Sequence, residues 1–142
     1  MKEDDVRILV QYRLQQAESS LEDAKFLFEG QRNPRSIVNR SYYAMFYAAL
    51  ALLQKVGKVP RKHTGAISLF DTEFVLKGIF PKELSKNFHD LFDLRQESDY
   101  QITESPTLAM AETVLKKADI FVHAINDYLQ PGKAGVPPAS ET

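Results

Sequence analysis

Arg95 is the residue whose type and position most clearly indicate chemistry rather than packing. It falls where a stripe of apolar side chains, Leu84, Phe88 and Leu91, would place another apolar residue. Asp99 follows one helical turn later, so an ion pair that only holds the structure together is available. The other interpretation is that Arg95 points into a groove and binds phosphate through its planar, permanently charged guanidinium. The sequence leaves both interpretations open.

Arg40 presents the same choice in a second apolar helix. It lies between Ile37 and Ala44 and one turn before Tyr43. Two cationic side chains in a packed zone form a phosphate or RNA site when they lack carboxylate partners. They act as structural struts when each has one. The spacing alone does not decide between these alternatives.

His63 is the histidine best placed for acid–base or phosphate chemistry, because Arg61 and Lys62 precede it. The competing interpretation is that its side chain caps the next helix or is solvated. His89 and His123 lie on separate predicted helices with no histidine pair at i+3 or i+4, no Glu-x-x-His motif is present, and the chain contains no cysteine. We therefore expect neither a metal centre nor a cofactor.

The first half of the chain predicts two long helices. Apolar residues recur at steps of three and four from Val6 to Phe28, and Gly30 is expected to end that helix. Asn33 followed by Pro34 predicts a capped helix start, and the helix that follows is apolar on most sides through Val56. This second helix is predicted to be the innermost one.

The second half predicts a short helix and two more long ones. A basic connector, Lys58 to His63, precedes the short helix, which Gly78 ends. Pro81 opens a third long helix, and Ser105-Pro106 is interpreted as the cap and first turn of the last one, which runs to Leu129. We predict an all-α fold, an up-down antiparallel four-helix bundle with one additional short helix.

The bundle is predicted to occupy residues 1–130, and the Pro- and Gly-rich segment 131–142 is predicted to be a disordered tail. Aromatic residues exceed what one core stripe needs on the second helix, at Tyr42, Tyr43, Phe46 and Tyr47. Part of this cluster is therefore expected to form the interface of a homodimer.

Charge and hydropathy restrict the partners. The chain has 18 Lys and Arg against 19 Asp and Glu, so any nucleic-acid contact must be local. Its N-terminus is acidic, and no stretch approaches about 20 uncharged apolar residues. We expect a cytoplasmic protein with no membrane contact.

Three segments, in this order and spacing, resemble the HEPN family, the higher eukaryotes and prokaryotes nucleotide-binding domain. They are NRSYYAMFYAALALL (39–53), KHTGAISLF (62–70) and RQESDY (95–100). The chain is most similar to the small stand-alone prokaryotic branch, over about residues 8 to 130. The resemblance implies a dimeric helical bundle, often encoded beside a minimal nucleotidyltransferase as a toxin–antitoxin pair.

The chain departs from the motif of the HEPN members that are RNases, which pair an arginine with a histidine beyond four to six intervening residues. Counting from Arg95, those positions hold Tyr100, Gln101 and Ile102, so the acid–base imidazole is absent there. The family's polar groove carries over by position to six residues: Arg40, Tyr43, His63, Arg95, Asp99 and Tyr100.

Three functions follow as hypotheses. The first is a dimeric binding module that engages a nucleotidyltransferase, and a nucleotide or RNA, without cutting either. The second is a metal-independent endoribonuclease toxin in which Arg95 stabilises developing charge and His63 or Tyr100 replaces the missing base. The third is a structural scaffold in which Arg95 and Asp99 hold helices in register.

Overall fold

The fold is a bundle of helices, seen in a computed structural model that describes residues 2–100 and 105–130, without the side chains of 97–100. The helices are α1 (Glu3–Glu29), α2 (Pro34–Lys55), α3 (His63–Phe70), α4 (Lys82–Tyr100) and α5 (Leu108–Leu129). A π-helical turn, Asp71–Val75, continues α3. The prediction of four long helices and one short helix is confirmed, and the described residues include no strand.

Helix α2 is the innermost element, as its apolar sequence predicted. It packs against α1, α3, α4 and α5. Small buried side chains allow close approach of the helices, with Ala17 and Ala24 on α1 and Ala44, Ala48 and Ala51 on α2. The bulkier core side chains then fill the space between α2 and the other helices.

The ends of the first two helices follow local sequence signals. The Asn33 side chain accepts a hydrogen bond from the backbone N–H of Ser36 at 3.3 Å, and Pro34 occupies the first turn of α2. Helix α1 ends at Gly30 as predicted, but that glycine has φ −82°. Gln31 adopts the left-handed conformation instead, with φ 54°.

The predicted cap of the last helix is wrong by two residues. Thr107 is the N-cap of α5, and its side chain accepts a hydrogen bond from the backbone N–H of Met110 at 3.1 Å. The Ser105 hydroxyl accepts instead from Arg35 at the start of α2, with 3.0 Å between Nη2 and Oγ. Pro106 is buried, and the contact of Ser105 with Arg35 holds the Ser105-Pro106 dipeptide outside the last helix.

None of the described helices is long and apolar enough to cross a membrane. The predicted tail, 131–142, lies outside the described residues.

Thr107→Ala should lower the free energy of unfolding by about 1 kcal/mol, because it removes the oxygen that caps α5. Ser105→Ala is the matched control. It loses one exposed hydrogen bond and should cost less than about 0.5 kcal/mol. Urea denaturation followed by circular dichroism measures both, and a larger loss in the Ser105 variant would contradict this assignment of the cap.

Candidate functional site

Tyr43 is the point at which the two arginines meet. The centre of the Arg40 guanidinium lies 5.3 Å from the centroid of the Tyr43 ring, and that of Arg95 lies 5.2 Å from it. Arg95 also donates a hydrogen bond from Nη2 to the Tyr43 hydroxyl at 3.1 Å. A cation at this distance is attracted to the negative face of an aromatic ring. One half-buried tyrosine therefore holds a cation from α2 and a cation from α4.

Each arginine is held in place by neighbouring side chains. Arg40 donates from Nε and Nη2 to the Asn39 side-chain oxygen, at 3.2 and 2.9 Å. Arg95 lies on α4 with its guanidinium also 5.9 Å from the Tyr42 ring. Both are half-buried, so their charges are less screened than those of surface arginines.

His63 belongs to the same cluster, and its contacts argue against the interpretation that it caps a helix or is solvated. It is the first residue of α3 and is half-buried. Its ring stacks on Phe46, with centroids 4.1 Å apart and planes 5° from parallel. Its Nδ1 lies 2.7 Å from the hydroxyl oxygen of Tyr42. The ring is held in place by packing and by one hydrogen bond.

The surroundings of Tyr42 and His63 determine their protonation. Burial raises the pKa of the fully buried Tyr42 hydroxyl well above its usual range, although the nearby Arg95 charge partly opposes this. Burial, and secondarily Arg95, lowers the pKa of His63. At neutral pH Tyr42 is therefore protonated and His63 is neutral. When Tyr42 donates to Nδ1, the ring hydrogen of His63 lies on Nε2, which is then a donor.

The structure thus brings together four of the six residues named from the sequence: Arg40, Tyr43, His63 and Arg95. The cluster offers guanidinium N–H groups, a tyrosine hydroxyl and an imidazole at the junction of α2, α3 and α4. The side chains of Asp99 and Tyr100 lie outside the described residues, so the Arg95–Asp99 pair stays a prediction. The donors present suit an anionic ligand.

Sequence reasoning missed the roles of Tyr42 and Phe46, which it assigned to the core or to a subunit interface. Tyr42 supplies the hydrogen bond to His63, and Phe46 supplies the stacking surface. Their spacing of four residues on α2 places them on one face and was the available signal. This spacing could not identify His63 as the residue they contact, because that contact depends on how α3 packs against α2.

The other two histidines make separate contacts. His89 Nε2 lies 2.7 Å from Oδ2 of Asp71, and the other carboxylate oxygen, Oδ1, accepts a hydrogen bond from Ser85. His123 Nδ1 lies 2.8 Å from the backbone oxygen of Asp119. Within residues 2–100 and 105–130, no three His, Asp or Glu side chains are grouped as a metal site requires.

The model of the HEPN domain family matches residues 10–128, nearly the whole described bundle. The chain belongs to the HEPN domain family. This confirms the resemblance found in the sequence and accounts for the all-α architecture.

Relatives of this HEPN chain span almost its full length. A protein of Methanocaldococcus jannaschii named "Putative toxin MJ0605" is 36% identical over 126 residues, covering 89% of this chain and 92% of the relative. A "UPF0332 protein" of Thermotoga maritima is 34% identical over 122 residues, covering 86% and 92%. A second M. jannaschii protein, "Putative toxin MJ0142", is 33% identical over 116 residues, covering 82% and 78%.

His63→Gln should flatten the dependence of stability on pH between 7.5 and 5. The pKa of His63 is lowered in the folded protein, so the unfolded chain binds more protons as the pH falls through 6.5. The wild type therefore loses stability over this interval, and the variant, which keeps a polar side chain without the titration, loses less. Urea midpoints at pH 7.5, 6 and 5 measure the difference. Equal losses in both proteins would contradict the half-buried, neutral imidazole.

Proposed function

We propose that this HEPN chain is a binding module for the phosphate groups of RNA or of a nucleotide. The observation that carries the proposal is the convergence of Arg40 and Arg95 on the ring of Tyr43. Both guanidinium carbons lie within 5.3 Å of the centroid of that ring, which places two positive charges around one side chain, where the phosphates of one ligand can contact them. Their N–H groups also match phosphate oxygens in geometry.

His63 supports the same ligand class. With Tyr42 donating to Nδ1, the neutral ring presents an N–H donor at Nε2, which suits a phosphate oxygen. The same arrangement is unfavourable for a general base, because a base needs a free ring nitrogen to accept the proton. This favours binding over the endoribonuclease alternative, in which His63 would take up a proton from the RNA 2′-hydroxyl.

Arg95→Ala and Arg40→Ala should each weaken binding of a fluorescently labelled single-stranded RNA by about tenfold or more, since each removes a charged donor to phosphate. Each variant should also reduce the dependence of log K on log salt concentration by about 0.7. Fluorescence anisotropy at several salt concentrations measures both quantities.

Arg7→Ala is the matched control for this experiment. Arg7 is exposed, pairs with Asp4, and lies beside Lys55 at the far end of α2 from Arg40. Equal weakening in all three variants would refute the site and indicate general charge attraction. The same incubations, run on a gel, test the alternative. RNA cleavage that is lost in both Arg95→Ala and His63→Gln would establish the endoribonuclease instead.

We further propose that the module is a homodimer that acts with a minimal nucleotidyltransferase in a toxin–antitoxin type of system. Phe46 and Leu50 are half-buried apolar side chains four residues apart on α2, and a second copy would cover their remaining surface. The names of two relatives, both called toxins, support the type of system.

Co-expression with the minimal nucleotidyltransferase of its own genome should give a complex containing two copies of this 16.2 kDa chain. Light scattering after size exclusion gives the mass and stoichiometry. Leu50→Arg should dissociate the pair by placing a charge in the contact, whereas Tyr128→Arg, on an exposed tyrosine of α5, should not. A chain that elutes alone as a monomer would contradict both parts of the proposal.

A further inference from the structure

A cleft of about 330 Å³ lies between α1 and α2, next to the arginine cluster. Its α2 wall includes Arg40 and Tyr47. The Tyr47 ring lies 5.8 Å from that of Tyr43, and Arg40 lies against Tyr43 as well. The cleft and the proposed phosphate site therefore share a wall.

The α1 wall of the cleft is polar and aromatic. Tyr12, Gln15, Gln16 and Asp23 follow one another at helical spacing on the side of α1 that faces Arg40. Tyr12 is 52% exposed, so its ring is accessible from the cleft. These residues line a surface on which a flat ring can stack while its polar edge meets amide and carboxylate groups.

An arginine lies against a tyrosine on α1 too, as in the cluster of α2 and α4. The Arg13 guanidinium lies 5.7 Å from the centroid of the Tyr12 ring and donates to the side-chain oxygen of Gln16 at 2.8 Å. This fixes the Gln16 oxygen as an acceptor and leaves its NH₂ group available to donate. Proteins that bind single-stranded nucleic acid combine cationic groups along the backbone with aromatic rings on which bases stack.

We propose that this cleft holds a base of single-stranded RNA whose neighbouring phosphates contact Arg40 and Arg95. The inference rests on the proposed function and names its ligand more closely. The Asp23 carboxylate disfavours a phosphate inside the cleft but accepts hydrogen bonds from a base amino group or a ribose 2′-hydroxyl. The base accordingly enters between Tyr12 and Tyr47, and the phosphates stay at the arginines.

The test compares a short RNA with an abasic ribose-phosphate oligomer of equal length and charge. Wild-type protein should bind the RNA about five- to a hundredfold more tightly, the range expected for stacking of one base. Tyr12→Leu should bring this ratio close to one and leave binding of the abasic oligomer unchanged. Tyr128→Leu, which changes an exposed tyrosine on α5, should keep the wild-type ratio.

The outcomes separate this inference from the proposed function. If wild type binds both oligomers equally, the cleft holds no base, although the phosphate site stands. If it binds neither, the proposed function itself fails. If Tyr12→Leu instead lowers the mass of the assembly and keeps the ratio, the cleft is covered by a second copy of the chain, which also overturns the inference.

Discussion

The burial of α2 among the other helices is the constraint on which the rest of the structure depends. A fully buried polar atom on this helix can be satisfied only by a partner inside the bundle, because water does not reach it. The hydroxyl of fully buried Tyr42 finds Nδ1 of His63 at 2.7 Å. Leaving that hydroxyl unsatisfied would cost about 1–3 kcal/mol. The start of α3 is therefore tied to α2 by hydrogen bonding as well as by the stacking of His63 on Phe46.

The charge of Arg95 links this buried pair to the surface. Its guanidinium lies over the rings of Tyr42 and Tyr43 and bonds the Tyr43 hydroxyl, which offsets part of the cost of removing the charge from water. The same charge lowers the pKa of His63 and opposes the rise in that of Tyr42. Three helices thus share one electrostatic unit. The chain has a net charge of −1, so an anion is attracted by the local field of the arginines rather than by the charge of the protein as a whole.

Sequence by itself determined the features that depend on neighbours along the chain. Helical periodicity gave the number and order of the helices, because apolar residues at steps of three and four lie on one face only when the segment is an α-helix. Asn33 and Pro34 determined the start of α2 as its cap and its first residue. Arg40 and Arg95 could be singled out for the same reason, since a charge in an apolar stripe is visible without any structure.

Only the tertiary structure decided what those residues touch. Arg95 and Tyr43 are separated by 52 positions and Tyr42 and His63 by 21, and no local pattern specifies a contact over such distances. The last helix shows the same limit, because Ser105 has the sequence of a cap but gives its oxygen to Arg35, 70 residues away. The local sequence shows which hydrogen-bond partners a polar atom could have near it in the chain. The packing of distant segments determines which partner it actually contacts.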